Sequence, residues 1–419
     1  MSRLLAFALL CAPLVLTAGA VAAPVVRINQ MQSVGTHNSF HIEPSPAEKA
    51  LRSGSGLVDE VSLEYSFAPL EWQFDREDVR QVELDLFADP QGGAYAAPRL
   101  RSLAGGGPYA PEMARPGIKV LHVQDYDYRT TCLTFVACLR AIRRWSDAHR
   151  GHVPIAILLE LKDLALPPQI PATVPLPWTS ELMDALDAEI RAVFRRRRIV
   201  APDDVRGSRT TLEEAVRHGD WPALADSRGK VLFLMDNGEP YRSRYLAGHP
   251  SLRGRLLFTN SVPGQPDAAF IKENDPTGAN LDRIRDEVGR GYIVRTRADA
   301  DTREAREARA DDPRRRDQAL ASGAQWVSTD YPAPGIAARF GSGYRVRLPN
   351  HRPARCNPIN APRGCRGIRL DRGLTTGAPN TPGCPSGLND RPRPVTTSRA
   401  TTSAHTARCA GAHAGHPRP

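Results

Sequence analysis

Eight short apolar runs, separated by longer stretches of helical periodicity, constrain this chain more than any other feature. In order they are "INQMQSVG", "VRQVELDLF", "GIKVLHV", "VPIAILLEL", "GKVLFLMD", "RLLFTN", "GYIVRTR" and "AQWVSTD". Amphipathic segments lie between several of them. "FVACLRAIRRWSDAHR" places Leu139, Ile142 and Trp145 on one helical face, and "ELMDALDAEIRAVFRRR" does the same with Leu182, Leu186, Ile190, Val193 and Phe194. Strand and helix in alternation build a parallel sheet, because parallel neighbours need a crossover long enough to hold a helix. Eight such units are expected to close into a parallel barrel with the helices outside. A doubly wound open sheet is the rival arrangement. No glycine-rich phosphate loop follows the first run, and "SGSG" from Ser53 reads as loop.

The first 23 residues, "MSRLLAFALLCAPLVLTAGAVAA", have one early arginine, an apolar run and small residues at the end. That is the layout of a signal peptide, with Val21-Ala22-Ala23 as its cleavage site, and export is expected. The run is short for a membrane span, so no transmembrane segment is expected in the mature chain. From Arg366 onward the chain is rich in Pro, Gly, Thr, Ser and Arg and poor in large apolar side chains, so it is expected to be disordered. The division is then signal peptide 1–23, barrel domain 24–365 and tail 366–419. The net charge of +10 belongs largely outside the barrel: the tail has eight arginines against Asp371 and Asp390, and Arg3 lies in the leader. With no basic stripe interleaved by aromatics, a nucleic-acid partner is not expected. A monomer is expected. In an oxidising compartment Cys132 with Cys138 and Cys356 with Cys365 are expected to form local disulfides, while Cys384 and Cys409 suggest no definite pairing.

The chemistry-bearing residues stand at the ends of the runs, where barrels of this kind place their active groups. The first run ends in His37 and Asn38. The second carries Glu83 and Asp85, two apart and so on one side of a strand. The third ends in His122, and the fourth carries Glu160 and Lys162, again two apart. Three carboxylates converging on one barrel mouth would repel one another into protonation unless paired. A hard dication resolves this, and carboxylates with the Asn38 amide oxygen suit calcium first and magnesium second. The plainer alternative is a salt-bridge network with Lys162 and an arginine. Two imidazoles flanking such a cluster point to proton transfer, and with a dication and Lys162 to attack on a phosphodiester. The remaining histidines, including His41, His149, His152, His218 and His249, are expected on the surface.

The segments "GTHNSF", "VELDLFADP", "PGIKVLHVQDYDYRTTC", "WSDAHRGHVPIAILLELKD", "GYIVRTRADADT" and "SGAQWVSTDYP" resemble, in order and spacing, the bacterial calcium-dependent phosphatidylinositol-specific phospholipase C family. The resemblance runs from about residue 29 to Cys365. It implies a distorted TIM barrel and a reaction in which an inositol hydroxyl attacks phosphorus, diacylglycerol leaves and a cyclic inositol phosphate forms. It implies His37 and His122 as the catalytic pair, and Asn38, Glu83, Asp85 and Glu160 as Ca2+ ligands. Lys162, Arg295, Arg297 and Tyr331 are candidates to contact substrate. Each arginine could instead form an interior ion pair with Asp299, Asp301 or Glu304, and Tyr331 could pack as a loop aromatic. The expected partner is phosphatidylinositol in a membrane surface. Two rival readings are a related barrel phosphodiesterase acting on glycerophosphodiesters or sphingomyelin, and an inactive lipid-binding surface protein.

Overall fold

The computed structural model describes residues 24–52, 63–299 and 305–373. The leader, Cys384, Cys409, Asp301, Glu304, the "SGSG" piece and the tail beyond Gly373 lie outside the described residues. Among the described residues ten strands are present: β1 (Met31–Thr36), β2 (Gln81–Phe87), β3 (Lys119–Val120), β4 (Ile155–Leu161), β5 (Val231–Met235), β6 (Leu257–Phe258), β7 (Phe270–Lys272), β8 (Ile293–Arg297), β9 (Trp326–Thr329) and β10 (Arg355–Cys356). Eight of them run parallel in the order β6-β5-β4-β2-β1-β9-β8-β7. Between the two ends of this series lies one parallel bridge, Asn260 to Phe270, with Ser261 N donating to Phe270 O at 3.1 Å. The result is a nearly closed, distorted eight-stranded parallel barrel. Strands β2, β4 and β5 are buried along almost their whole length, as expected of strands covered on both faces.

The set of eight differs from the expected one in two places. "GIKVLHV" is not a parallel barrel strand. Its Lys119–Val120 pairs antiparallel with the end of β2, Val120 opposite Leu86 and Lys119 opposite Phe87. The chain leaving β2 makes a long excursion and folds back along the strand it came from. An apolar run of this length has no periodicity that separates the two outcomes. The missing barrel strand is β7, three residues in "FIK". It follows β6 through residues 259–269 with no intervening helix, so it lacked the alternation that marked the others.

The predicted amphipathic segments are helices. Phe135–Ala148 buries Leu139, Ile142 and Trp145, and Thr134 caps it by accepting from Ala137 N at 3.2 Å. Ser180–Val193 buries Leu186, Ile190 and Val193 and is capped by Thr179. Both expected disulfides are formed, Cys132–Cys138 and Cys356–Cys365, with Cα separations of 5.3 and 6.1 Å. No helix among the described residues is long and apolar enough to cross a membrane.

Packing continues past residue 365, where the barrel was expected to end. Leu370 is buried, and Asp371 Oδ2 accepts from Arg80 Nε at 2.8 Å and from Val153 N at 3.0 Å. Arg80 has no exposed side-chain surface, so a buried cation needs this carboxylate, and composition alone does not reveal such a need. Asp371→Ala is expected to destabilise the barrel by about 3–5 kcal/mol, the usual consequence of stranding a buried charge, read as a lower denaturation midpoint.

Candidate active site

The mouth is organised where β1 ends. Gly35 lies against Gln81 of β2 so closely that an added Cβ would sit 1.9 Å from Gln81 Oε1, which leaves glycine alone there. Asn38 has φ 47°, the left-handed region that asparagine tolerates. That turn breaks strand alternation just after His37. Ser39 then clamps the segment to β2: its N donates to Glu83 O at 3.0 Å and its Oγ accepts from Glu83 N at 2.7 Å. His37 Nδ1 lies 2.9 Å from Asp330 Oδ1, and Nε2 lies 3.8 Å from Glu83 Oε1. Asp330 is held in turn by Arg297 Nη2 at 2.9 Å, and Arg297 also reaches Asp299 Oδ1 at 3.3 Å. Burial, reinforced by Asp330, pushes the Asp299 carboxyl up to about 6.

Glu83 and Asp85 of β2 and Glu160 of β4 do converge. Asp85 and Glu160 are direct partners in the parallel register, and ligand oxygens of all three carboxylates lie within 4.8 Å of one another. Lys162 Nζ bridges two of them, 2.9 Å from Glu160 Oε2 and 3.1 Å from Asp85 Oδ2. Arg295 donates to Glu83 and, at 2.5 Å, to Asn274 Oδ1. The carboxylates expected to hold a dication converge, and part of the expected salt-bridge alternative is also formed. Burial pushes the Asp85 carboxyl well above the usual range, with Glu160 and Glu83 adding to the effect and Lys162 opposing it. Burial also acts to raise Glu160, but Lys162 outweighs it and holds that carboxyl low. One lysine therefore does not settle the cluster. Asp85 Oδ1 and Asn38 Oδ1 are buried acceptors with no hydrogen-bond donor among the described residues. An all-oxygen donor set with orphaned buried oxygens fits a hard dication of the calcium type.

His122 reaches the same mouth by a different route, on the excursion after β3 rather than on a barrel strand. The turn that follows places Asp127 beneath it, with His122 Nδ1 2.7 Å from Asp127 Oδ2. Burial is the largest influence on His122 and pushes it below the ordinary imidazole value, against the pull of Asp127. Burial works against ionisation of Asp127 too, but His41 and His122 together hold its carboxyl well below the usual range. The turn is latched to the loop after β4: Gln124 Nε2 donates to Leu164 O at 2.9 Å, Tyr126 Oη to Pro171 O at 2.9 Å, and Thr173 N to Asp125 Oδ2 at 2.5 Å.

Of the ten residues singled out in the sequence, nine line or adjoin this mouth. Tyr331 does not face a ligand as a stacking platform would. It is buried and packs edge-on against Tyr344 at 5.7 Å in a satellite core. Arg295 and Arg297 are buried and engaged by Glu83, Asp330 and Asp299, which makes them supports of the carboxylate and imidazole groups. The histidine survey needs two corrections: His41 and His152 are buried rather than on the surface. The partners of the two imidazoles, Asp330 and Asp127, went unnoticed because each lies outside the apolar runs or at their last residue. Lys272, paired with Asp236 at 2.5 Å beside the cluster, went unnoticed because β7 did, and Asp236 because it stands at the last residue of its run.

A family model described as phosphoinositide phospholipase C, Ca2+-dependent, matches residues 26–358. The chain belongs to this family. Ca2+-dependent phosphoinositide phospholipases C are phosphodiesterases, and the acidic cluster at Glu83, Asp85 and Glu160 is where this phospholipase has a donor set suited to calcium. Among solved structures the chain is similar to a calcium-dependent phosphoinositol-specific phospholipase C from Pseudomonas sp, at 17% identity over 79% of this chain and 95% of that one, with a TM-score of 0.45. It is similar also to a Ca2+-dependent phosphatidylinositol-specific phospholipase C from Streptomyces antibioticus, at 20% identity over 75% and 98%, TM-score 0.45. A glycerophosphoryl diester phosphodiesterase from Parabacteroides distasonis is more distant, at 12% identity over 76% and 92%, TM-score 0.27. No curated protein matches the chain.

Proposed function

We propose that this phospholipase is exported and, with calcium held by Asn38, Glu83, Asp85 and Glu160, cleaves phosphatidylinositol to diacylglycerol and an inositol phosphate. The observation that carries the reading is one arrangement: two imidazoles, each backed by a buried aspartate, flank a cluster of three carboxylates whose charge Lys162 and Arg295 do not balance. Bound there, the cation would stabilise charge on the phosphoryl oxygens and favour ionisation of an attacking hydroxyl. With its Nδ1–H held by Asp330, His37 offers Nε2 on the attacking side, where with Glu83 it accepts the proton of the inositol hydroxyl. The hydroxyl oxygen bonds to phosphorus as the phosphorus–glycerol oxygen bond breaks. His122, protonated on Nε2 and held at Nδ1 by Asp127, gives its proton to the departing alkoxide. The assignment is supported by position: the His122 turn is latched to the loop after β4, whose exposed Leu164, Val174 and Leu176 suit contact with acyl chains. Lys162, already at the cluster, contributes positive charge to the transition state. Water then opens the cyclic phosphate.

The loop after β4 exposes Leu164 at 80%, Val174 at 73% and Leu176 at 45% of their surface. A group of apolar side chains at the mouth of a lipid-cleaving barrel suits a bilayer surface. Leu164→Glu is expected to weaken sedimentation with phosphatidylinositol vesicles about tenfold or more, the scale of burying one leucine, while turnover of a soluble short-chain substrate is unchanged. Lys162 and Lys272 are both committed to carboxylates, which favours an inositol ring without extra phosphates. The reading is tested by turnover of phosphatidylinositol vesicles with calcium and with a chelator, products followed by phosphorus NMR. Diacylglycerol with an inositol phosphate, formed only with calcium, supports it. Persistent activity with the chelator, or a phosphorylated headgroup without diacylglycerol, rejects it.

A further inference from the structure

His41 stands four residues beyond His37 and has no exposed surface. Its Nδ1 lies 3.0 Å from the Tyr65 carbonyl oxygen, and its Nε2 lies 3.0 and 3.2 Å from the two oxygens of Asp127. A carbonyl only accepts, and an ionised carboxylate only accepts. Both contacts are hydrogen bonds only if His41 carries a proton on each nitrogen, that is, as an imidazolium. The Tyr65 ring covers it at 4.6 Å, and Arg52 Nη1 lies 3.7 Å from Asp127 Oδ1. Asp127 is therefore a buried anion between cations, and the same Oδ2 that accepts from His41 accepts from His122 Nδ1. His122 must then keep a proton on Nδ1 in either charge state, so that the proton it gains and gives away is the one on Nε2, which faces the mouth.

His41 is also tied to the other half of the site. Its backbone N donates to Asn38 O at 2.8 Å, the neighbouring Phe40 O accepts from Thr131 N at 2.8 Å, and Ile42 N donates to Arg129 O at 3.3 Å. The strand end that bears His37 and the excursion that bears His122 are thus joined at this residue by backbone and side chain together.

We infer that His41 is a positioning residue for the reaction: through Asp127 it fixes the tautomer and direction of His122, and so the delivery of the proton to the leaving group. The inference rests on the function proposed above. Two variants separate positioning from mere support of the fold. In His41→Gln the amide nitrogen replaces Nε2 and still donates to Asp127. In His41→Asn it replaces Nδ1, keeping the Tyr65 contact and losing Asp127. His41→Asn is expected to lower kcat on phosphatidylinositol roughly 10–100-fold with KM unchanged, and His41→Gln to stay within about threefold of wild type, the scale on which orienting partners act. On a nitrophenyl phosphoinositol, whose leaving group needs no proton, both variants should turn over at nearly the wild-type rate.

Imidazole 15N spectra of the wild-type protein give a readout independent of turnover. His41 is expected to be protonated at both nitrogens, and His122 in the Nδ1–H form. His122 should lose that single form in His41→Asn and keep it in His41→Gln. Equal loss in the two variants, loss on the nitrophenyl substrate, or a wild-type His122 protonated on Nε2 alone would each overturn the inference. A wild-type protein without activity on phosphatidylinositol removes the parent reading and the inference with it. Wild-type turnover with His41→Asn unchanged removes the inference alone. Should His41→Asn fail to fold, the wild-type spectrum decides.

Discussion

Asp85→Asn is expected to abolish calcium-dependent turnover of phosphatidylinositol while making the calcium-free protein more stable. Asp85 is wholly buried, Lys162 is its charged neighbour at 3.1 Å, and Glu160 and Glu83 oppose its ionisation. Because burial raises this carboxyl in the folded state, the calcium-free folded protein holds its proton more readily than the unfolded chain does. Its contribution to stability is present below the unfolded value and fades as pH rises toward the raised folded one. An asparagine removes that dependence, and Lys162 keeps Glu160 at 2.9 Å as partner. The melting temperature without calcium should therefore rise and become flatter with pH. With calcium the order reverses. A wild-type protein saturated at roughly 100 times Kd gains about 2.7 kcal/mol from binding, which the variant does not. Since a dication supplies several kcal/mol of transition-state stabilisation, kcat/KM should fall roughly 10³-fold or more. Thermal melts and turnover, each with calcium and with chelator, check both halves. A variant that melts higher only with calcium contradicts the assignment of Asp85.

His122→Ala is expected to lower kcat roughly 10²–10⁴-fold with little change in KM, the range for loss of a positioned acid. The same group should govern the alkaline limb of the pH profile. An acid must be protonated to act, and burial pushes His122 below the ordinary imidazole value, so kcat should decline with rising pH from a midpoint under that value. Asp127 raises His122 by hydrogen bond and charge, so Asp127→Asn should move the midpoint lower still, and His122→Ala should erase the limb. Turnover measured from acid to alkaline pH with the three proteins tests the chain of reasoning. An unmoved midpoint in Asp127→Asn would assign the limb to another group.

Much of this arrangement was legible in the residues themselves, for a physical reason. Glu83 with Asp85 and Glu160 with Lys162 are each two apart in strands otherwise apolar, and burying charge among leucines is costly enough to demand a partner. His37 and Asn38 close the first strand, where a barrel gathers its chemistry. What could not be read depended on where the chain goes between strands. Nothing in "GIKVLHV" says that it turns back on β2, so His122 was placed on the wrong kind of element. Asp127 and His41 carry no local signal at all: they are 86 positions apart and acquire meaning only by meeting. Arg295 and Arg297 were visible as a pair, but whether they face substrate or brace acids was decided by Glu83 and Asp330, 212 and 33 positions away respectively.

The sequence alone therefore determined the parallel barrel, the two local disulfides and which carboxylates of β2 and β4 converge at its mouth. Periodicity, short loops and the cost of isolated charge are local properties of a chain. Tertiary structure alone decided which carboxylate backs which imidazole, that β7 completes the barrel, that Tyr331 packs inward and that Asp371 neutralises Arg80. Those outcomes turn on distances between residues far apart in the chain, and such distances exist only once the barrel has formed.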